Sequence, residues 1–310
     1  MFPHVPRHAL LGLALSLCAF AATGLIAPSY SAKDEKPGKG PRKTMTVDVG
    51  VTMEFVLIDP KANPDKGKFK MGSPQDEKDR NRLERRFDAE KQHDVEITRP
   101  YYLAKYPVTQ EQYAALIGKN PSTFQPGARG ADSVKGLDTS QFPVERVSWD
   151  DAQGFCKTLA EKDSKKRKFR LPTEAEWEYA CRAGTTTPFS FGSELNGKQA
   201  NCDGTFPYGT EAKGPFKSRT TKVGEYGENP WGLCDMHGNV WQWCEDYYGP
   251  YDLPVKDPLR SANPFSEERR VIRGGSWLHL GLGCRAAHRE GLAPTLFSFC
   301  HGFRVAVNLD

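Results

Sequence analysis

The most informative part of the sequence is GLCDMHGNVWQWC, from Gly232 to Cys244, which RGGSW follows at Arg273 to Trp277. Glycine, proline, asparagine and aromatic residues dominate this half of the chain, and neither a helical nor a strand period persists between Gly184 and Asp310. This pattern predicts short strands joined by long loops. Loops of that length need cross-links or bound ions to hold them in place, and cysteines and possible metal ions are available for this.

The N-terminal half gives clearer signals of secondary structure. Apolar alternation predicts four strands, at residues 51–58, 69–72, 93–97 and 101–106. Three helices have capping residues at their start: Thr109, Ser148 and Thr173. The charged run from Gln75 to Gln92 mixes both signs, so we interpret it as an exposed helix or loop. Strands, helices and long loops together predict the α+β class.

Length and composition limit the class of protein. The chain has 310 residues, a formal net charge of +4 and a hydrophobic share of 38%. That length is enough for one large domain or two small ones with a sizeable core. The composition excludes a wholly disordered, collagen-like or polytopic membrane protein. The small positive charge is spread along the chain, so nothing indicates nucleic-acid binding.

Residues 1–32 have the pattern of a secretory signal peptide. A short segment with Arg7 precedes an apolar run from Ala9 to Ala27, and small residues follow it. The run is also long enough for an uncleaved membrane anchor, and that alternative stays open. Residues 33–46 are rich in Lys, Gly and Pro, so we predict a flexible linker over 33–50 and a folded domain over 51–308. The protein is therefore expected to be secreted or periplasmic.

The cysteines favour structural bridges. Eight are present, and none are spaced as Cys-x-x-Cys, so zinc-ribbon and thioredoxin-type sites have no support. Cleavage of the signal would remove Cys18 and leave an odd number, so at least one thiol stays unpaired within the chain. For the others, an oxidising compartment makes disulfides the default.

Seven short strings occur along residues 51–308. They are MGSP (71–74), YPVTQEQY (106–113), FPVERVSWDDAQGFC (142–156), RLPTEAEWEYACRAG (170–184), GLCDMHGNVWQWC (232–244), RGGSW (273–277) and GFRVA (302–306). In this order they resemble the sulfatase-modifying-factor family, whose founding members are the formylglycine-generating enzymes. The resemblance implies a variant of the C-type-lectin fold with little regular secondary structure.

The best-known activity of that family is the oxidation of a sulfatase cysteine to formylglycine, with molecular oxygen and copper(I). A sulfatase or a peptide would then be the partner. Soft thiolates are natural ligands of copper(I). The family places them third and eighth after a Gly-Gly-Ser turn, which Gly274 to Ser276 supplies here. The third position holds His279, so this chain does not match the copper-ligand pair.

The place of Cys284 depends on how the positions are counted. Forward from the Gly-Gly-Ser turn it is the eighth residue. Counting back from Gly302 to Arg304 aligns Arg289 with a family arginine and puts Cys284 beyond the copper ligand. The resemblance then favours a disulfide between Cys284 and Cys181.

Other cleft positions match the enzymes better. Ser276 and Trp241 fall where the enzymes have a serine and a tryptophan near the substrate cysteine, so with His279 they are the candidate catalytic residues. A metal site made of His279, His288 and His301 is an alternative, but their spacing fits no metal motif. Ordinary roles are therefore predicted for these histidines.

The resemblance also implies calcium, which takes about six to eight oxygen ligands. The predicted ligands are Asp235 with the carbonyls of Gly238 and Val240 at one site, and Asn201 with the Cys202 carbonyl at a second. Gln242 replaces an acidic ligand of the enzymes, so it keeps an oxygen and loses a charge. The alternative is that these Asn and Asp residues only make hydrogen bonds within turns.

Two main functions follow from these observations. One is an oxidase that acts on a protein cysteine, which requires copper. The other is a non-catalytic module that keeps the family cleft for a peptide or a carbohydrate, and we favour it because His279 replaces a copper ligand. Fold alone does not decide between them.

Overall fold

The computed structural model describes residues 43–80 and 87–309. The α-helices in these ranges are α1 (Gln110–Ile117), α2 (Trp149–Lys162) and α3 (Glu174–Arg182). The strands are β1 (Thr44–Asp48), β2 (Thr52–Ile58), β3 (Lys68–Met71), β4 (His93–Glu96), β5 (Tyr101–Ala104), β6 (Phe169–Arg170), β7 (Trp241–Tyr247), β8 (Arg270–Arg273), β9 (Arg289–Leu292), β10 (His301–Phe303) and β11 (Ala306–Asn308). The α+β class is confirmed. The predicted signal peptide lies outside the described residues.

The three predicted helix starts are confirmed, and each is a reciprocal capping box. The side chains of Thr109, Ser148 and Thr173 accept a hydrogen bond from the backbone three residues on, and the residue there bonds back to the cap. Helix α1 ends at Gly118, whose φ of 80° suits a residue without a Cβ. Helix α2 buries Phe155 and Leu159 against the core.

Two sheets form the frame of the domain. In the larger one the strand order is β1-β2-β5-β11-β6, so the C-terminal strand β11 lies between β5 and β6. The smaller sheet has the order β10-β7-β8-β9, with β10 parallel to β7. Its register places His301 opposite Trp241 and Arg273 opposite Arg289. Because Gln242 also pairs with Arg273, residues far apart in sequence meet at the same end of the strands of this sheet.

Two expectations need correction. The predicted linker is shorter than 33–50, because Thr44–Asp48 pair with β2 in antiparallel register and Val47 is buried. The charged run from Gln75 to Gln92 is not wholly exposed, because Glu90 is buried and forms a bidentate ion pair of 2.8 Å with Arg285. Residues 81–86 of that run lie outside the described ranges.

Buried arginines hold the long loops. Arg289 Nε and Nη2 each donate to the Glu174 carboxylate at 2.6 Å, and Arg273 bonds to Glu178. These pairs are almost completely buried, so removal of one partner would leave an uncompensated charge. All seven cysteines in the described part of the chain are free thiols. Across the same residues, no helix is long and apolar enough to span a bilayer.

Candidate functional site

A tight turn after β8 places the first two predicted site residues together. Gly274 and Gly275 have φ values of 95° and 70°, which favour glycine. A Cβ on Gly275 would lie 2.6 Å from the sulfur of Cys284, so a side chain does not fit there. The turn brings the Ser276 Oγ to 2.7 Å from the Nδ1 of His279.

Trp241, from β7, completes this group. Its indole Nε1 lies 3.2 Å from both ring nitrogens of His279, and the two rings meet edge-on with centroids 5.1 Å apart. Burial lowers the pKa of His279 to about 4, so the ring is neutral near pH 7. Ser276 and Trp241 are buried and His279 is half-buried. The predicted trio is therefore one contact group, and His279 is its partly exposed member.

Cys300 belongs to the same group, and the sequence analysis did not identify it. The Ser276 hydroxyl hydrogen-bonds to the Cys300 thiol, and Ser298 Oγ lies 3.5 Å from the same sulfur. Burial raises the pKa of this thiol, although these two hydroxyl groups oppose the shift. The only signal in the sequence was that Cys300 lies just before the string GFRVA. That position matches no metal-ligand motif.

The other two histidines each lie near a tryptophan of β7. The ring of His288 is 5.7 Å from that of Trp241, and its Nδ1 is 3.3 Å from the Glu90 carboxylate. Burial lowers the pKa of His288, but Glu290 and Glu90 outweigh this effect and raise it. The ring of His301 is 5.7 Å from that of Trp243.

His301 differs from His288 in its environment. Burial lowers its pKa to about 4, and its ring donates to the Leu296 carbonyl. The Nδ1 atom is buried and has no hydrogen-bond partner in the structure. A neutral ring with a free acceptor nitrogen therefore borders the site.

These residues do not fit the family's copper site. Position 279 is a histidine. The Cys284 thiol hydrogen-bonds to the Ser276 backbone, but it lies in a buried cluster with Cys202. Among residues 43–80 and 87–309, no group of three or more His, Cys, Asp or Glu side chains is arranged to hold a metal ion. Cys300 and His279 contribute one thiol and one imidazole, not the two thiolates of the family.

The disulfide predicted between Cys181 and Cys284 is absent, and both thiols are free. The ring of His237 contacts both residues. Its Nδ1 bonds to the Cys284 carbonyl at 2.8 Å, while its Nε2 lies 3.6 Å from the Cys181 sulfur. Cys284 instead hydrogen-bonds through its thiol to Cys202.

The residues predicted for calcium lie on two adjoining loops. Asn239 N donates to the Asn201 carbonyl at 2.8 Å, and a Cβ on Gly238 would lie 2.3 Å from that oxygen. Asp235 accepts from Gly224 N at 2.6 Å, and burial raises its pKa to about 6.

Gln242 does not replace the acidic calcium ligand in the expected way. Its Oε1 accepts from Trp177 Nε1 at 2.8 Å and from Arg304 Nε at 2.5 Å. Its Nε2 donates to the Asp235 carbonyl at 2.7 Å. The oxygen is therefore occupied by protein donors, and Asp235 is the one carboxylate among the five predicted ligands.

Exposed apolar side chains lie on the loops that border His279 and His301. They are Phe206, Leu278, Leu280, Leu296 and Phe297, with exposed fractions from 41% to 59%. Leu278 and Leu280 flank His279, and Gly281 N bonds to the Phe206 carbonyl at 3.2 Å. Clustered apolar surface with a polar group inside it is typical of a binding site.

A cavity of about 820 Å³ lies away from this group of residues. Phe191, Tyr226, Trp231, Asp235 and His237 contribute to its wall. None of the candidate catalytic residues line it. The predicted catalytic group and this cavity are thus separate features.

A mixed α/β domain with long loops around a Gly-Gly-Ser turn is the C-type-lectin-like architecture of formylglycine-generating-enzyme-type proteins. The solved structure of PvdO from Pseudomonas aeruginosa matches with a TM-score of 0.66 and 26% identity, over 89% of this chain and 100% of that chain. The sulfatase-modifying factor enzyme 1-like domain family matches residues 59–309. The chain therefore belongs to the sulfatase-modifying factor family.

Named relatives include enzymes and an inactive protein. The formylglycine-generating enzyme of Streptomyces coelicolor is 37% identical over 54% of this chain and 53% of its own length. The inactive C-alpha-formylglycine-generating enzyme 2 of Bos taurus is 32% identical over 59% of this chain and 54% of its own length. The serine/threonine-protein kinase pkn1 of Chlamydia pneumoniae is 32% identical over 69% of this chain. This chain spans 34% of that kinase and about half of the other two relatives.

Proposed function

We propose that this protein is an exported, diverged sulfatase-modifying-factor protein. It binds a peptide, or else a glycan, around His279 and does not oxidise the bound ligand. The observation that carries the proposal is His279 itself. It stands at the position of a copper ligand in the family, is neutral, and is fixed by Ser276 and Trp241. A fixed, half-buried imidazole is suited to a hydrogen bond with a ligand.

The exposed apolar side chains around His279, which we call the rim, favour a peptide over a glycan. Leu278 and Leu280 place aliphatic side chains directly beside the polar group, as a site for an extended peptide with apolar side chains requires. Burial of such side chains in a complex stabilises it by roughly 25 cal/mol per Å² of apolar area. Export is supported by the signal-peptide pattern of residues 1–32.

Fluorescence anisotropy with a labelled peptide that carries a sulfatase cysteine segment tests the proposal. A glucose hexasaccharide serves as the competing glycan probe. We expect His279→Ala to weaken peptide binding about five-fold, which corresponds to the loss of about one hydrogen bond. His93→Ala is the matched control, because His93 lies on β4, outside the site.

The rim has its own matched pair. Leu278 and Leu259 are both 41% exposed, but only Leu278 adjoins His279. Leu278→Ala should weaken binding and Leu259→Ala should leave it unchanged. Equal effects of the two changes would reject a peptide site here. Displacement of the labelled peptide by the hexasaccharide, but not by unlabelled peptide, would reject it as well.

The alternative is a formylglycine-generating oxidase. The contact of Ser276 with both His279 and Cys300 favours it, because one thiol does lie in the cleft. Incubation with copper, air and the same peptide, followed by mass spectrometry, distinguishes the two functions. Conversion of the peptide cysteine to the aldehyde would overturn the non-catalytic proposal, and it should then depend on Cys300.

Calcium is proposed as a structural ion at Asp235. The Asp235 carboxylate and the neighbouring Gly238 and Val240 carbonyls are hard oxygen donors, which suit calcium. The raised pKa of Asp235 indicates a carboxylate that a cation would stabilise. Calcium should raise the melting temperature relative to chelator, and Asp235→Asn should remove the difference. An unchanged melting temperature in the native protein would leave only the turn hydrogen bonds.

A further inference from the structure

Two buried thiols meet behind the loop that carries His279. Cys202 and Cys284 are 1% and 0% exposed, lie in the same buried cluster, and their thiols hydrogen-bond to each other. The backbones beside them are also joined, because Asp203 N donates to the His279 carbonyl at 2.9 Å and Asp203 forms a bridge with Leu280. The chain therefore holds this thiol pair together from both sides.

We infer that Cys202 and Cys284 form a disulfide under oxidising conditions. In this reaction the two thiols lose two protons and two electrons, and a sulfur–sulfur bond forms through a mixed disulfide. Oxidised glutathione, or another disulfide oxidant, is reduced to two thiols. Oxidation takes place during folding, before the cluster around the pair closes. In the cell the inference rests on the proposed export, because exported chains meet such oxidants.

The alternative partner of Cys284 is in the wrong place. The Cys181 sulfur packs against the His237 ring, 3.6 Å from Nε2 and 4.0 Å from Nδ1, and that Nδ1 also bonds to the Cys284 carbonyl. Cys181 could reach Cys284 only after the His237 ring had broken its hydrogen bonds with Cys284 and Ser190. Cys181 is therefore expected to stay reduced.

The bond would matter for the site. It would tie the segment at Cys202 to the short 3-10 helix Gly281–Cys284, which begins two residues after His279. A disulfide that closes a long loop restricts the unfolded chain and stabilises the folded one. The position of His279 would then be set covalently on its C-terminal side, in addition to its contacts with Ser276 and Trp241.

Peptide mapping of the full chain tests the inference. The protein is refolded in a buffer of oxidised and reduced glutathione, alkylated, digested without reduction and analysed by mass spectrometry. We expect a linked peptide pair that contains Cys202 and Cys284, together with alkylated Cys181. A Cys181–Cys284 pair, or alkylation of both Cys202 and Cys284, would overturn the inference.

Two serine variants supply the control. Cys181→Ser should keep the linked peptide and the fall in melting temperature that a reductant causes, whereas Cys202→Ser should lose both. The mapping of the native chain needs no variant, so a misfolded Cys202→Ser protein would not affect it. Because the refolding takes place in buffer, failure of export in cells would count against the proposed location alone.

Discussion

The substitution Glu178→Gln should destabilise the protein strongly. Glu178 is 0% exposed, and its Oε1 accepts from Gly72 N and Arg182 Nε, both at 2.8 Å. Its Oε2 accepts from Arg273, which is also fully buried. Glutamine keeps the shape but removes the charge, and its amide group would place N–H donors against an arginine. Loss of one partner from a buried ion pair costs about 3–5 kcal/mol.

Urea unfolding followed by tryptophan fluorescence at pH 7 measures the loss of unfolding free energy. In a thermal melt, the melting temperature should fall by roughly 6–20 °C, at about 2–4 °C per kcal/mol for a domain of this size. Glu268→Gln is the control, because Glu268 is 48% exposed and pairs with Arg270 at 3.5 Å. An exposed pair contributes about 0–1 kcal/mol. Equal losses for the two variants would refute the view that buried ion pairs hold the loops.

The same carboxylate predicts an acid-sensitive stability. Burial raises the pKa of Glu178, but Arg182 and Arg273 outweigh burial and lower it below the ordinary value of 4.5. Its contribution is therefore present above pH 4.5 and is lost as the pH falls through the folded-state pKa. Glu178→Gln should flatten the acid limb of the stability curve. Since Arg273 directly precedes Gly274, the variant should also loosen the turn that carries Ser276.

Three further outcomes follow from single residues. Burial raises the pKa of Glu145 to about 7, so the stability it contributes is complete below pH 4.5 and is lost as the pH rises through 7. Glu145→Gln should remove that slope, worth roughly 3 kcal/mol at most, from melting temperatures measured between pH 5 and 8. Gly275→Ala should lower the melting temperature, because its φ of 70° and the nearby Cys284 sulfur both oppose a Cβ. Gly154→Ala, in open space on α2, should raise stability by about 0.5–1 kcal/mol, and a loss there would contradict the helix assignment.

Local signals predicted the local structure well. The caps Thr109, Ser148 and Thr173 could be predicted because a capping box is complete within four residues of sequence. The start of the folded domain was wrong, because the Lys- and Gly-rich composition before Val47 hides a strand that is stabilised only by pairing with β2. Strand pairing is not local, so composition did not reveal it.

The site was predicted only where the family strings reach. The structure brings the candidates Ser276, Trp241 and His279 into contact, and each lies in one of those strings or directly after it. Cys300 was missed, because its contact with Ser276 depends on the register of β10 beside β7. The buried arginines were missed for a similar reason. Glu174 lies in the first turn of α3, and nothing in the sequence pairs it with Arg289.

The scaffold and the chemistry of this domain are held by different residues, and this separation explains why family membership leaves the activity open. The Gly-Gly-Ser turn is fixed by Arg273, Glu178 and the contact of Gly275 with Cys284, none of which is one of the candidate catalytic residues. Position 279 can therefore change from cysteine to histidine and leave the supports of the turn in place. A family built in this way can include formylglycine-generating enzymes and a relative named inactive on one fold. The identity of the side chains on the loop after Ser276, and not the fold, is what an activity measurement on this protein will test.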